Sequence, residues 1–232
     1  MKASHPDSRI VPGLIVGAVM ISFSGVWVKL SHVTPTSAAF YRVLIGGGFL
    51  LLGAIWRREF RRLSGLQTGL MFLAGILFAL DLICFHTSIL YVGPGLGTIL
   101  PNFQVFIMAL VGILAFKEKL RPVYVFSVPL AVIGLLLVVG IQWDLLGAEY
   151  RLGIYAGLAT SVFYSGFLLS IRRLHGDAHP AHDEKTRKLS FFYILMMVSL
   201  TSAGVLAGGM FLAGDSFGIP DMQTMLSLAV LA

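Results

Sequence analysis

Long apolar runs separated by short polar connectors fill the chain. The runs extend from about Ile10 to Leu30, Ser37 to Trp56, Leu66 to Tyr91, Leu96 to Phe116, Val123 to Ile141, Leu152 to Ile171 and Ser190 to Ala213. An eighth begins at Met222, and the sequence reaches Ala232 within it. Each complete run is close to the roughly 20 residues that a helix needs to cross ~30 Å of hydrocarbon. None alternates apolar and polar residues with period two, and each is too long for a barrel strand. In lipid, where backbone groups must bond within their own segment, that leaves helices. The expectation is an all-α membrane protein with seven complete transmembrane helices and the start of an eighth. A cleaved leader at the N-terminus fits poorly: the first run is long, no small-x-small site follows it, and many spans come after.

The stretch from Tyr91 to Arg121 is the most informative. A Gly/Pro-rich entry leads to an apolar run broken by Pro101-Asn102, and the exit is charged. A proline and an amide inside such a run need neighbouring helices or a watery cavity to satisfy the freed carbonyl and the side chain. This helix is therefore placed inside a bundle, with its interrupted middle facing something polar; a simple packing kink is the other reading.

Composition agrees. The chain is 57% hydrophobic and 12% charged, with mean hydropathy +0.88, far above a soluble domain. Its one cysteine, Cys84, allows no internal disulfide.

The formal net charge of +6 would suit a nucleic-acid binder, so the position of the charges decides. With a cytoplasmic N-terminus and alternating spans, the inner connectors hold Lys2, Arg9, Arg57, Arg58, Arg61, Arg62, Lys117, Lys119, Arg121, Arg172, Arg173, Lys185, Arg187 and Lys188. The outer connectors hold Arg151, while Lys29 and Arg42 lie within spans. This is the positive-inside arrangement of a multi-pass protein of the cytoplasmic (inner) membrane. Basic residues in short juxtamembrane loops face anionic lipid head groups, which removes the nucleic-acid reading. The lipid bilayer is the expected partner.

The first and sixth runs look alike. Gly13, Gly17 and Phe23 match Gly153, Gly157 and Phe163; Ser24-Gly25 matches Ser165-Gly166, and Phe40-Tyr41 matches Phe192-Tyr193. A repeat of five spans, residues 1–142 followed by an incomplete copy at 143–232, has an odd number of crossings. The second copy would then be inverted, as in many secondary transporters. Gly13-x-x-x-Gly17 and Gly153-x-x-x-Gly157 also have the spacing that lets helix backbones approach closely.

On these residues the chain resembles the EamA-type branch of the drug/metabolite transporter superfamily. Residues 13–26 are similar to that family's opening helix, and Phe40-Tyr41-Arg42 to the Arg-bearing start of its second. His86-Thr-Ser-Ile-Leu-Tyr91 through Pro101 is similar to its third-to-fourth helix segment, and Lys117-Glu118-Lys119-Leu120 to the close of its first repeat. The resemblance implies ten helices in two inverted five-helix repeats around a central cavity. It also implies secondary transport, by alternating access, of a small metabolite such as an amino acid, an amine or a related compound, without a cofactor. A homodimer is left open. The sequence stops in the eighth helix of this pattern, so a truncated or partner-dependent protein without transport of its own is the competing expectation.

Polar groups within the spans are the candidate working residues, because a charge at depth needs a partner or water. At 1.5 Å per residue, Asp81 lies roughly 20 Å above the inner end of the third span, with His86 higher still. Lys29 reads as a side chain snorkelling to the interface. Arg42 reads as a clamp on a neighbouring helix; its counterpart in the second repeat is the apolar Ile194. Glu118, between Lys117 and Lys119, reads as a helix-end brace. For Asp81 and His86 an ion-pair role and a proton-carrying role both stand. The expected cavity lining is Phe23, Trp27, Asp81, His86, Asn102, Gln104 and Tyr164, with Lys29, Arg42, Pro101 and Glu118 structural or ionic.

Enzyme chemistry has little footing. There is no Ser/His/Asp or Cys/His constellation, phosphate-cradling glycine loop or HExxH helix. His175, His179 and His182 have helix-face spacing, but Gly176 and Pro180 oppose a helix there, so a solvated loop and no metal are expected.

Overall fold

The computed structural model describes Pro12 and residues 34–57, 64–117, 122–139, 147–176 and 191–214. The first and eighth runs, Glu118 and most of the 172–188 connector lie outside the described residues. Every described element is a helix: α1 Pro35–Arg57, α2 Gly65–Ile99, a short 3-10 turn Leu100–Phe103, α3 Gln104–Phe116, α4 Pro122–Val139, α5 Ala148–Gly176 and α6 Phe191–Ala213.

The helix ends follow local chemistry. Thr34 stands before α1 with Pro35 in the first turn, where the missing N–H costs nothing, and its Oγ1 accepts from the Ser37 N–H at 3.2 Å. Arg57 closes α1 beside the negative end of its dipole, 5.2 Å from the centre of the Phe192 ring. Ser64 and Gln67 form a reciprocal capping box at the start of α2: Ser64 Oγ accepts from Gln67 N–H at 3.3 Å, and Gln67 Oε1 accepts from Ser64 N–H at 3.0 Å.

Gly93 divides the longest helical stretch. Its φ of +83° lies in a region open to glycine, and Pro94 follows without a donor. The chain folds back there. A Cβ built on Gly97 would lie 3.1 Å from Ile89 Cα, whereas eight residues of straight helix would separate them by about 12 Å. The third and fourth apolar runs are thus two legs of a hairpin. Pro101 sits in the 3-10 turn that interrupts the second leg, and Asn102 Nδ2 donates to the Thr98 carbonyl at 3.1 Å.

Among the described residues four helical stretches are long and apolar enough to cross a membrane: Pro35–Arg57, Gly65–Ala115, Ala148–Leu174 and Phe192–Ala213. Their outer faces carry large apolar side chains such as Trp56, Phe49, Phe211 and Leu212 in the open, as a lipid-facing surface requires.

Inside, α2 packs most extensively on α5, and α1 on α6. Small residues allow it. A Cβ on Gly153 would meet Tyr91 Cβ and Val92 Cγ1, both at 2.7 Å, and one on Gly157 would meet Leu100 Cδ1 at 2.5 Å. The glycine pair of the sixth run therefore serves close helix approach; Gly13 and Gly17 lie outside the described residues. Gly75 of α2 backs onto Thr201 of α6, and beside it the Ser202 hydroxyl lies 2.7 Å from the Gly75 carbonyl. A packed core of Ala54, Met71, Ala74, Phe167, Tyr193, Ile194 and Met196 joins α1, α2, α5 and α6.

Candidate functional site

Between α1, α2, the 3-10 turn and α5 lies a cavity of about 570 Å³. Arg42 reaches it from α1, and Phe78, Asp81, Leu82 and Phe85 from α2. Thr98 and Pro101 come from the returning leg, Gln104 from the start of α3, and Thr160, Tyr164 and Phe167 from α5. Its volume falls within the range of small-molecule sites. Part of the wall is aromatic: the Phe78 and Phe167 rings stack at 4.9 Å between centroids, and Tyr164 lies 5.6 Å from Phe167.

Arg42, Asp81, Thr98, Gln104 and Thr160 bring polar groups to this wall. Asp81 is 6% exposed, and its Oδ1 is buried without a hydrogen-bond partner. Gln104 Oε1 is likewise buried and unpartnered. Arg42 and Asp81 line the same cavity, yet among the described residues no ion pair within 4.0 Å joins them. The Thr160 hydroxyl donates to the Asp81 main-chain carbonyl at 3.4 Å, tying α5 to α2 beside the carboxylate. The Ser165 hydroxyl donates to the Ser161 carbonyl at 2.6 Å and lies 3.5 Å from the Gln104 carbonyl.

Of the residues expected from the sequence, Asp81, Gln104, Tyr164, Arg42 and Pro101 come together at this cavity. His86 does not line it: the ring is fully buried, and Nδ1 donates to the Pro35 carbonyl at 3.1 Å, pinning α2 to the start of α1. Asn102 is exposed, and its side chain is occupied with the Thr98 carbonyl. Phe23, Trp27, Lys29 and Glu118 lie outside the described residues. Ile194 is buried in the packed core rather than at a cavity.

Phe78, Leu82, Phe85, Thr98, Thr160 and Phe167 escaped the sequence reading, being ordinary residues in apolar runs. Two of the faces were nonetheless readable. Phe78, Asp81, Leu82 and Phe85 recur at three- and four-residue steps from the one acid in its span, and Thr160, Tyr164 and Phe167 recur likewise on α5.

No curated protein matches the sequence. A solved crystal structure is similar in fold, with a TM-score of 0.58 at 18% identity, over 93% of this chain and 74% of that chain. The profile of the EamA-like transporter family matches residues 9–140. That match spans more than half of the sequence, including α1, the α2 hairpin and every cavity residue but those on α5; this chain belongs to the EamA-like transporter family.

Proposed function

We propose that the chain is a multi-pass secondary transporter of the cytoplasmic membrane, with its N-terminus inside, and that its solute binds in the cavity between α1, α2 and α5. The carrying observation is the pairing of Arg42 and Asp81 across that space, each without an ion-pair partner among the described residues. Two opposite charges left open in a low-dielectric site are costly. A solute carrying both signs, such as an amino acid, offsets that cost, with its carboxylate at Arg42 and its ammonium at Asp81. The aromatic wall suits an apolar side chain on the same solute.

Alternating access between two inverted halves, 1–142 and 143–232, has support in the packing. The offset that carries Phe40-Tyr41 onto Phe192-Tyr193 also carries Gly47 onto Ser199. A Cβ on Gly47 would lie 3.1 Å from Ser199 Cβ. Counterparts that touch each other are the signature of a two-fold relation. Under the same relation Arg42 corresponds to Ile194, so one end of the α1/α6 pair borders a cavity while the other is packed shut. Exchange of the open and packed ends would move a solute across.

Reconstituted in liposomes loaded with unlabelled solute, the chain is expected to accumulate labelled amino acid or amine by counterflow from at least one member of a panel. Empty liposomes should show none. Absence of counterflow across the whole panel contradicts the reading and favours a protein that needs a partner to transport.

A further inference from the structure

Two buried acceptors at the cavity are reached by no hydrogen-bond donor among the described residues. Asp81 Oδ1 and Gln104 Oε1 are both unpartnered, one on α2 and the other at the first residue of α3, and both residues line the same space. The neighbouring donors are committed elsewhere: the Thr98 hydroxyl lies 2.8 Å from the Pro94 carbonyl, and the Thr160 hydroxyl bonds to the Asp81 main chain. Arg42 and Tyr164 also border the cavity, and neither is hydrogen-bonded to Asp81 Oδ1 or Gln104 Oε1. A buried acceptor left without a donor loses the hydrogen bonding it had in water. An occupant with several N–H groups on one cationic centre would supply the missing donors.

We infer that Asp81 and Gln104 together form a subsite for a primary ammonium group, and that Gln104 selects N–H-bearing cations over fully N-alkylated ones of equal charge. This rests on the cavity being the solute site and adds what recognises the cationic end. Asp81 supplies charge, which any cation would satisfy. Gln104 carries no charge, so its preference is for a hydrogen. Hydrogen bonding to a charged donor is worth enough to change affinity by about tenfold to a hundredfold.

The test is equilibrium binding by the purified full chain in detergent, with four probes: L-leucine, N,N,N-trimethyl-L-leucine, n-hexylammonium and 4-methylpentanoate. Wild type should bind L-leucine and n-hexylammonium at least tenfold more tightly than the trimethylated compound binds. Gln104→Leu should erase that preference, with a single unaggregated gel-filtration peak reporting that the variant is folded; 4-methylpentanoate, which has no nitrogen, should bind wild type more weakly than L-leucine. Gln104→Glu should retain or widen the preference. Equal affinity for L-leucine and its trimethyl derivative in wild type overturns the inference, as does no binding of either primary ammonium probe. Counterflow by the same protein reconstituted in liposomes separates the two proposals: solute exchange without N–H preference sinks the subsite alone, and no exchange by any solute sinks the transport reading beneath it.

Discussion

Asp81→Asn is expected to lower solute flux in proteoliposomes by roughly a hundredfold or more, while the protein still elutes as a single folded species in detergent. The substitution keeps the shape and removes the charge. Asp81 is buried at 6% exposure, and its Oδ1 has no hydrogen bond to lose, so the folded state gives up little local bonding. The solute loses its counter-charge, and Arg42 loses the opposite charge across the cavity. Truncating one partner of a buried charge contact to a ligand typically costs about 2–5 kcal/mol of binding, which sets the expected factor. Unchanged flux in Asp81→Asn would mean that the carboxylate faces no solute during transport.

Gly157→Leu should prevent recovery of folded protein or lower its thermal midpoint steeply, whereas Gly208→Leu should leave both unchanged. A Cβ at position 157 would stand 2.5 Å from Leu100 Cδ1, 2.7 Å from Ser88 Oγ and 2.8 Å from Leu100 Cβ, so a side chain there collides with the hairpin on both legs. Overpacking of this kind costs about 1–3 kcal/mol and sometimes more. Gly208, on an exposed face of α6, has nothing within 4 Å of the added Cβ, so a leucine there meets no steric barrier among the described residues. Thermal melting in detergent, followed by aggregation-sensitive gel filtration, reads both variants. Equal behaviour of the two would remove the tight α2–α5 contact from the account.

Much of this architecture was legible because lipid leaves so few choices. An apolar run of about 20 residues in a chain of this hydropathy has to be a helix, and the Gly93-Pro94 pair announces a break before any packing is known. Asp81, Gln104, Tyr164 and Arg42 stood out because polar groups at depth are rare. His86 and Asn102 stood out for the same reason, but the sequence does not say whether a polar group finds its partner in a solute or in the backbone. His86 bonds to the Pro35 carbonyl at the start of α1 and Asn102 to the Thr98 carbonyl beside the 3-10 turn. The phenylalanines and threonines of the cavity wall were hidden by their ordinariness. Only the fold-back at Gly93, which sets Thr98 and Gln104 opposite Asp81 and Phe85, gives them a shared purpose. The inverted repeat and the full complement of spans depend on runs beyond the described residues.

The most direct test is whether the cavity opens to both sides of the membrane. Cys84 is the chain's single cysteine, so a Cys84→Ser background is silent to thiol reagents, and Tyr164→Cys in that background places one thiol in the cavity wall. A membrane-impermeant maleimide should label it from outside in intact cells and from the cytoplasmic side in inverted vesicles, with protection by bound solute in both. Labelling from neither side, or from one side alone under every condition, would contradict a cavity that carries its occupant across.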